Sequence, residues 1–483
     1  MTETIQLTIL HSNDMHGHLV EMARLSTFVR QQRAALEAAG RQVLYVDCGD
    51  AADRSQRFCG VTKGSVFPPI LAAMGVQMQA LGNDISVTYG PQAAAQMAQN
   101  SPFPVLAANF YRDGQPLLPG FERWQIWPVS QAISVGVIGL TVNTLGFYRL
   151  FGLDVPDFTS TTRETFAELS RQIHGPVIVL SHLGLQDDLE LARTMPELAV
   201  IIGGHSHTLL EQGQWEGSVL VAQAGEYAAQ LGRVDLTLDA NSGDVLARSA
   251  TILLVPADTM PDPDVLAAVN GAIAAADEVM RQPLGVLSQT LAVDYFGDCP
   301  LGNLAADALR SRMQADVALV SSGLFHKPLE AGALTLEMLD SACFTTANPQ
   351  LSKLSGAELL AALETGLDET YSARLVRAFR GTPIGFPAVS GMVVKYDPLA
   401  QPRVQSVLIH GQPLLPDKTY TLAHTDAEVS SPNFPAGYFP LRDEQVVRVE
   451  VPTILREAIA DYIQTCQPAC APDGPRLMQV SGD

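Results

Sequence analysis

In this 483-residue chain the side chains best suited to chemistry stand just beyond short apolar runs in the first half. Residues 5–10 lead into His11-Ser12-Asn13-Asp14-Met15-His16-Gly17, and residues 43–46 lead into Asp47-Cys48-Gly49-Asp50. Gly82-Asn83-Asp84 follows an apolar stretch ending at Leu81. Residues 177–180 run into Ser181-His182-Leu183-Gly184, and residues 200–202 into Gly203-Gly204-His205-Ser206-His207. Taken singly, a D-x-H or G-H-x-H is more often incidental than a metal site. Together, ligand-type residues follow several separate strand-like runs, and in open α/β sheets strand ends are where ligands converge. Side chains two apart on an extended segment point the same way, so Asp14 and His16 can grip one ion. A mixed His, Asp and Asn set suits Mn²⁺, Zn²⁺ or Fe²⁺, and its lack of Cys argues against a structural zinc site.

The elements that must position these residues are read from length and period. Runs 5–10, 43–46, 105–108, 133–140, 177–180 and 200–202 are short, β-branched and bounded by polar or Gly residues, so they predict buried strands. Stretches 22–39 and 67–81 have helical spacing, which places Asn83 after a helix. The alternation is that of an α/β domain with its sheets covered by helices. Residues 218–238 add two strands with little helix between them, an antiparallel finish.

A boundary falls at Val255-Pro256-Ala257-Asp258-Thr259-Met260-Pro261-Asp262-Pro263-Asp264, where three prolines among acids open into an Ala-rich helix over 265–280 with Asp264 as N-cap. Beyond it, helices over 303–314 and 356–367 mix with strands over 317–320, 392–396, 404–409 and 419–423. This is a second α/β domain of about 200 residues.

Lys plus Arg is 30 and Asp plus Glu is 51, a formal net charge of −21. That balance excludes polyanionic nucleic acid and anionic membrane surfaces as partners, since both need basic footprints. It leaves small anions open, because bound metal supplies local positive charge. With 47% apolar and 17% charged residues the chain is globular. Six cysteines are too few for a disulfide scaffold, and Cys48, Cys59, Cys466 and Cys470 read as free thiols in a reducing compartment. No run reaches the roughly 18 apolar residues of a membrane span, and no signal peptide is visible. The expected location is cytoplasmic, or periplasmic or extracellular if a leader was removed, and the expected state is monomer or dimer.

In this order the clusters resemble those of the calcineurin-like metallophosphoesterases. With the length, the linker and the second domain, the chain is similar to the 5′-nucleotidase family, which includes the bacterial UDP-sugar hydrolases. In the second half Leu301-Gly302-Asn303-Leu304-Ala305-Ala306-Asp307, Leu354-Ser355-Gly356-Ala357-Glu358-Leu359 and Phe386-Pro387-Ala388-Val389-Ser390-Gly391 resemble family segments. The resemblance implies a four-layer α/β/β/α metallophosphoesterase sandwich over 1–258, a linker helix over 259–282 and a C-terminal substrate-binding domain over 283–483. It also implies that Asp14, His16 and His207 bind one divalent ion, that Asn83, His182 and His205 bind a second, and that Asp50 bridges them. Mn²⁺ or Zn²⁺ are the expected ions. The implied activity is hydrolysis of a small phosphate ester, a nucleotide or cyclic nucleotide among them, through a metal-bridging hydroxide. Asp47 stays outside the ligand set with a structural role.

The chain departs from the family in three places. Gly82-Asn83-Asp84-Ile85-Ser86-Val87 stands where the family has G-N-H-E-x-D, so its catalytic His-Asp dyad is replaced by Asp84 and Val87. A protonated Asp84 can donate to the leaving oxygen, with Asn83 and Asp50 completing the catalytic set, because burial and like charge favour the neutral acid. His18 reads as a surface residue of a first helical turn. Ser321-Ser322-Gly323-Leu324-Phe325-His326 replaces N-x-G-G-I-R, leaving His326 at the position of the nucleotide-binding Arg. Of the two base-stacking rings Phe386 matches one; Tyr438 ends a reduced Pro435-Ala436-Gly437-Tyr438 segment, with no aromatic at the expected distance before it. Phe386, His326 and Tyr438 are therefore the expected substrate contacts, and Arg310, Arg312 and Arg380 read chiefly as solvated helix-face cations. The missing dyad also suits a metal-binding pseudoenzyme, and the missing nucleotide contacts suit a hydrolase of a related anion, thiosulfohydrolase-like.

Overall fold

A computed structural model describes residues 3–480 apart from 54–55, 113–114, 117–118, 144–145, 377–378, 380, 433 and 467–473. The fold is mixed α/β, in two compact units, Met1–Asp277 and Glu278–Asp483.

The first unit is built on two sheets. One has seven strands in the order Val245–Leu254, Gln230–Asp239, Thr4–Ser12, Gln42–Asp47, Met78–Ala80, Val105–Leu106, Phe121–Glu122. The other has six, in the order Gln214–Glu216, Val219–Ala222, Val200–Ile202, Val177–His182, Ser134–Thr141, Trp124–Pro128. Strand alternation sorts the side chains into layers. Leu7, Ile9, Leu44 and Val46 meet Ile178, Leu180, Val200 and Ile202 between the sheets. Leu10, Val43 and Tyr45 point the other way, onto Met22, Leu25, Phe67 and Met97 of an outer helical layer. Val177 and Val179 pack on Leu169 and Leu191 of the opposite one. The result is the four-layer α/β/β/α arrangement.

Two expectations at the sequence level change. The helix expected over 67–81 is Phe67–Met74; Gly75 adopts φ 88° and ends it, and Met78–Ala80 is a strand that pairs in parallel with Gln42–Asp47. Asn83 therefore follows a strand. The helix after the prolines spans Pro263–Met280, and Asp262, not Asp264, accepts the free N–H of its first turn, from Asp264 at 2.9 Å. Its Val265, Val269 and Ala276 are buried in the core of the first unit, so this expected linker is part of that unit's packing.

In the second unit a five-stranded sheet runs in the order Pro387–Ser390, Val317–Ser321, Thr419–Thr425, Pro349–Ser355, Val446–Val449. Helix Pro300–Met313 lies against it, burying Leu301, Leu304, Ala305 and Leu309. A four-stranded sheet of Gln412–Pro413, Val404–Ile409, Met392–Tyr396 and Leu477–Gln479 completes the unit. Among the described residues no helix is long and apolar enough to cross a membrane.

Candidate metal centre

All seven expected ligands lie in the first unit, at or just beyond the carboxyl ends of five strands that pair in parallel within their two sheets: Thr4–Ser12, Gln42–Asp47, Met78–Ala80, Val177–His182 and Val200–Ile202. Parallel pairing aligns these ends, which is why residues far apart in sequence converge. Two groups have ligand atoms mutually within 4.8 Å: Asp14 with His16 and His207, and Asp50 with His182 and His205. A third such group joins His16, Asp50 and Asp84.

The local backbone is bent to make this possible. Asp14, His16, Asp50, His205 and His207 all take positive φ, between 46° and 71°. Such conformations cost of order 1–3 kcal/mol each and cluster at functional sites. Asp14 and His16 therefore converge through a turn, not along the extended segment their spacing suggested. The turn is held by Asp14 N–H donating to Gly49 O at 3.0 Å and His16 N–H to Asp50 O at 3.0 Å. Asn13 braces it from the other side, donating to Gly225 O at 2.6 Å and to Asp14 Oδ2 at 2.8 Å. At Gly82 an added Cβ would stand 2.0 Å from Asp50 Oδ1, so only glycine lets the two loops meet.

Asp14 Oδ1 lies 3.8 Å from His16 Nε2, 3.6 Å from His207 Nε2 and 4.0 Å from His182 Nε2. His182 Nε2 is 3.0 Å from Asp50 Oδ2 without the geometry of a hydrogen bond, and it and Asn83 Oδ1 are buried without a hydrogen-bond partner. His16 Nε2 and His207 Nε2 face each other at 3.0 Å. Buried polar atoms normally have partners. Unpartnered donor atoms of the types that bind Mn²⁺ or Zn²⁺, grouped around two carboxylates, fit divalent cations.

The electrostatics agree with that fit. Burial opposes charge on His16, but the Asp84 carboxylate on its Nδ1 and the charges of Asp50 and Asp14 raise its pKa to about 9. For His182 burial is likewise outweighed by Asp50 and Asp14, giving about 10. These are histidines whose surroundings demand positive charge, which a metal ion can supply in place of a proton. His205 is pushed the other way, to about 4, by burial and by the His182 charge. Asp47 sits outside the cluster, fully buried and raised to about 7 by burial; it accepts from Ser12, Gln79 and the Gly49 N–H and so fixes the loop.

Asp84 has a different partner from the one the sequence suggested. Its Oδ2 is 2.9 Å from His16 Nδ1, and its backbone N–H donates to Asp50 Oδ1 at 2.9 Å. Burial and then the Asp50 charge push its carboxyl above the usual range, with the His16 hydrogen bond acting against them. His18 is half-buried and stacks on Tyr227, centroids 4.2 Å apart. Glu226, not singled out in the sequence, forms an ion pair through Oε2 with His207 Nδ1. It follows the strand Val219–Ala222, so the strand-end criterion that found the ligands would also have found it.

In the second unit the expected substrate contacts are mostly interior. Phe386 is buried, edge-on to Phe296 at 5.6 Å and to Tyr396 at 5.9 Å. Tyr438 is buried and donates its hydroxyl to Gly385 O at 2.7 Å. His326 is half-buried, its N–H donating to Ala342 O at 2.8 Å. Arg310 donates to Ser390 Oγ at 2.8 Å, and Arg312 pairs with Glu450 and with Asp461, so neither is a bare solvated cation. Arg380 and Cys470 lie outside the described residues. Phe434 stands four residues before Tyr438. It lines a cavity of about 380 Å³ with Leu324, Phe379, Ala427 and Val429.

A double sheet flanked by helices, with His and Asp gathered at its strand ends, is the arrangement expected from the resemblance to the metallophosphoesterases. Residues 273–430 match the family model of the 5′-nucleotidase C-terminal domain. Over 459 residues the chain is 27% identical to the uncharacterized metallophosphoesterase YunD of Bacillus subtilis, covering 94% of this chain and 98% of that one. It is 24% identical to a 5′-nucleotidase of Diplobatis ommata over 86% of this chain and 81% of the relative. The crystal structure of a 5′-nucleotidase precursor from Thermus thermophilus shares the fold, with TM-score 0.52, 24% identity and coverage of 99% and 100%. The chain is thus similar along most of its length to proteins named metallophosphoesterase and 5′-nucleotidase, and its second unit carries the 5′-nucleotidase C-terminal domain match.

Proposed function

We propose that the protein is a two-metal hydrolase of small phosphate esters, with Mn²⁺ or Zn²⁺ as its ions. One observation carries the reading: six His and Asp side chains from four strand ends converge in two groups, His182 Nε2 among them without a hydrogen-bond partner, and Asn83, next to Asp84, buries an unpartnered Oδ1. Asp14, His16 and His207 would hold one ion, Asn83, His182 and His205 the other, with Asp50 shared. When bound, such a pair activates water and neutralises charge developing on the phosphoryl group. The protein's part is to hold these donors fixed through the strained loops and to place Asp14 and Asp50 at the centre. The overall charge of −21 gives an anionic substrate no long-range attraction, so capture is local. Asp84, in place of the family's His, adds a further carboxylate, which disfavours highly charged substrates such as nucleoside triphosphates. Nucleoside monophosphates, cyclic nucleotides and other small mono- or diesters are the proposed substrate class.

The test is purified protein with Mn²⁺, screened against p-nitrophenyl phosphate, its bis-ester, nucleoside monophosphates, cyclic nucleotides and thiosulfate-type anions. Hydrolysis of an ester that is abolished in Asp50→Ala supports the proposal. Turnover that survives that substitution overturns the mechanism, and two bound ions with no turnover leaves a metal-binding protein.

A further inference from the structure

His16 and His207 belong to the same proposed ion site, and each is backed by a carboxylate on its far nitrogen. Asp84 Oδ2 lies 2.9 Å from His16 Nδ1, and Glu226 Oε2 pairs with His207 Nδ1. A histidine that donates from Nδ1 has its lone pair on Nε2, and a carboxylate acceptor both fixes the ring and raises the basicity of that lone pair. The two Nε2 atoms point at each other across 3.0 Å, an arrangement of facing lone pairs that needs a cation or a shared proton between them. The second cluster is supported differently: His182 Nδ1 donates to a neutral acceptor, the Cys48 carbonyl, at 2.6 Å.

We propose that Asp84 and Glu226 are a matched pair of positioning residues, which orient His16 and His207 and strengthen the ion site these share with Asp14. Asp84 then acts through His16 instead of protonating a leaving group. Its place in the chain suits this: the Asp84 N–H caps Asp50 Oδ1 while its side chain reaches His16, so one residue ties the proposed bridging carboxylate to the neighbouring ligand. Glu226 is fixed likewise, since the next residue, Tyr227, donates its N–H to Asp14 O at 2.9 Å. This inference rests on the metal-site reading above.

The experiment uses the full chain stripped with chelator and titrated with Mn²⁺ by calorimetry, with bound metal counted after gel filtration. Wild type is expected to take up two ions. Asp84→Asn and Glu226→Gln, each retaining shape but not charge, should weaken one of the two by about 10- to 100-fold and leave the other within about twofold. Asp84→Glu and Glu226→Asp should recover part of the loss. Hydrolysis of p-nitrophenyl phosphate by Asp84→Asn should return towards the wild-type rate as Mn²⁺ is raised. Unchanged Mn²⁺ affinity in both Asn and Gln variants overturns the proposal. So does an activity loss in Asp84→Asn that excess Mn²⁺ fails to rescue, which would assign Asp84 the leaving-group role. A wild-type chain that takes up no Mn²⁺ defeats the metal-site reading itself and this inference with it.

Discussion

Gly82 and Asp50 meet so closely that a methyl group on Gly82 would fall 2.0 Å from Asp50 Oδ1 and 2.4 Å from its backbone nitrogen. Two loops from different strand ends touch there backbone to carboxylate, and the contact fixes where the proposed bridging ligand stands. Gly82→Ala must displace one of the loops. A misplacement of about 1 Å at a reacting centre costs on the order of 100-fold in rate, so kcat in the Mn²⁺ phosphatase assay should fall at least that far while the circular dichroism spectrum is kept. Activity within a few-fold of wild type would show that the Asp50 position is not critical.

In the second unit Asp307 and Arg476 form two parallel hydrogen bonds of 2.8 Å, and the same guanidinium reaches Asn303 O and Val389 O while Ser390 donates to Asp307. Removing one partner of a largely buried ion pair strands the other's charge. Asp307→Ala should therefore lower the stability of this unit by about 3 kcal/mol in urea denaturation. Asp307→Ala combined with Arg476→Met should recover part of that loss. A double variant no more stable than the single one would mean that the pair contributes beyond charge compensation.

The clustering of the His and Asp side chains was legible because parallel strands put their carboxyl ends in one place, and a His or Asp after an apolar run is visible in sequence. The pairing of particular carboxylates with the far nitrogens of these histidines was not legible. Glu226 and Asp84 become meaningful only once His207 and His16 have ring orientations, and no sequence spacing carries that. Met78–Ala80 is not legible as a strand because its apolar residues continue the helical pattern of 67–74, and Gly75 is the one break. The family-like motifs of the second half were recognisable, but their roles were not. Asn303 and Asp307 sit in the Arg476 network, and Ser355 and Glu358 form a reciprocal helix cap, so these motifs help to build the unit.

Phe386 is packed in the interior, whereas Phe434 lines a cavity. Phe386 is 3% exposed and ringed by aromatics, so Phe386→Ala should cost about 3–5 kcal/mol of stability, read by thermal or urea unfolding. Phe434 is half-buried on the wall of the cavity, beside Phe379 and Leu324. If that cavity receives a nucleobase, stacking worth about 1–3 kcal/mol is lost in Phe434→Ala, a rise in KM of roughly 5- to 150-fold for nucleoside monophosphates. KM for p-nitrophenyl phosphate should move little. Equal effects on both substrates would exclude base stacking at Phe434.

His424 provides a pH signature far from any metal ligand in sequence. It is fully buried, with Nε2 2.9 Å from Ser352 Oγ and Nδ1 2.7 Å from Thr425 O, and its ring stands edge-on to Phe439. The tautomer that satisfies both contacts is neutral, donating from Nδ1 and accepting at Nε2. Burial drives its pKa down from 6.5 to about 4, with the Thr425 carbonyl pulling weakly the other way. A histidine depressed in the folded state is protonated first in the unfolded one. Its contribution to stability is therefore whole above pH 6.5, shrinks as the pH falls towards 4, and is gone below it. The full swing is about 3 kcal/mol by the usual conversion. Unfolding free energies measured between pH 7.5 and 4 (roughly the window of this linkage) should fall more steeply for wild type than for His424→Gln, whose amide can serve both contacts without titrating. Parallel curves for the two proteins would show that His424 is not held neutral in the folded chain.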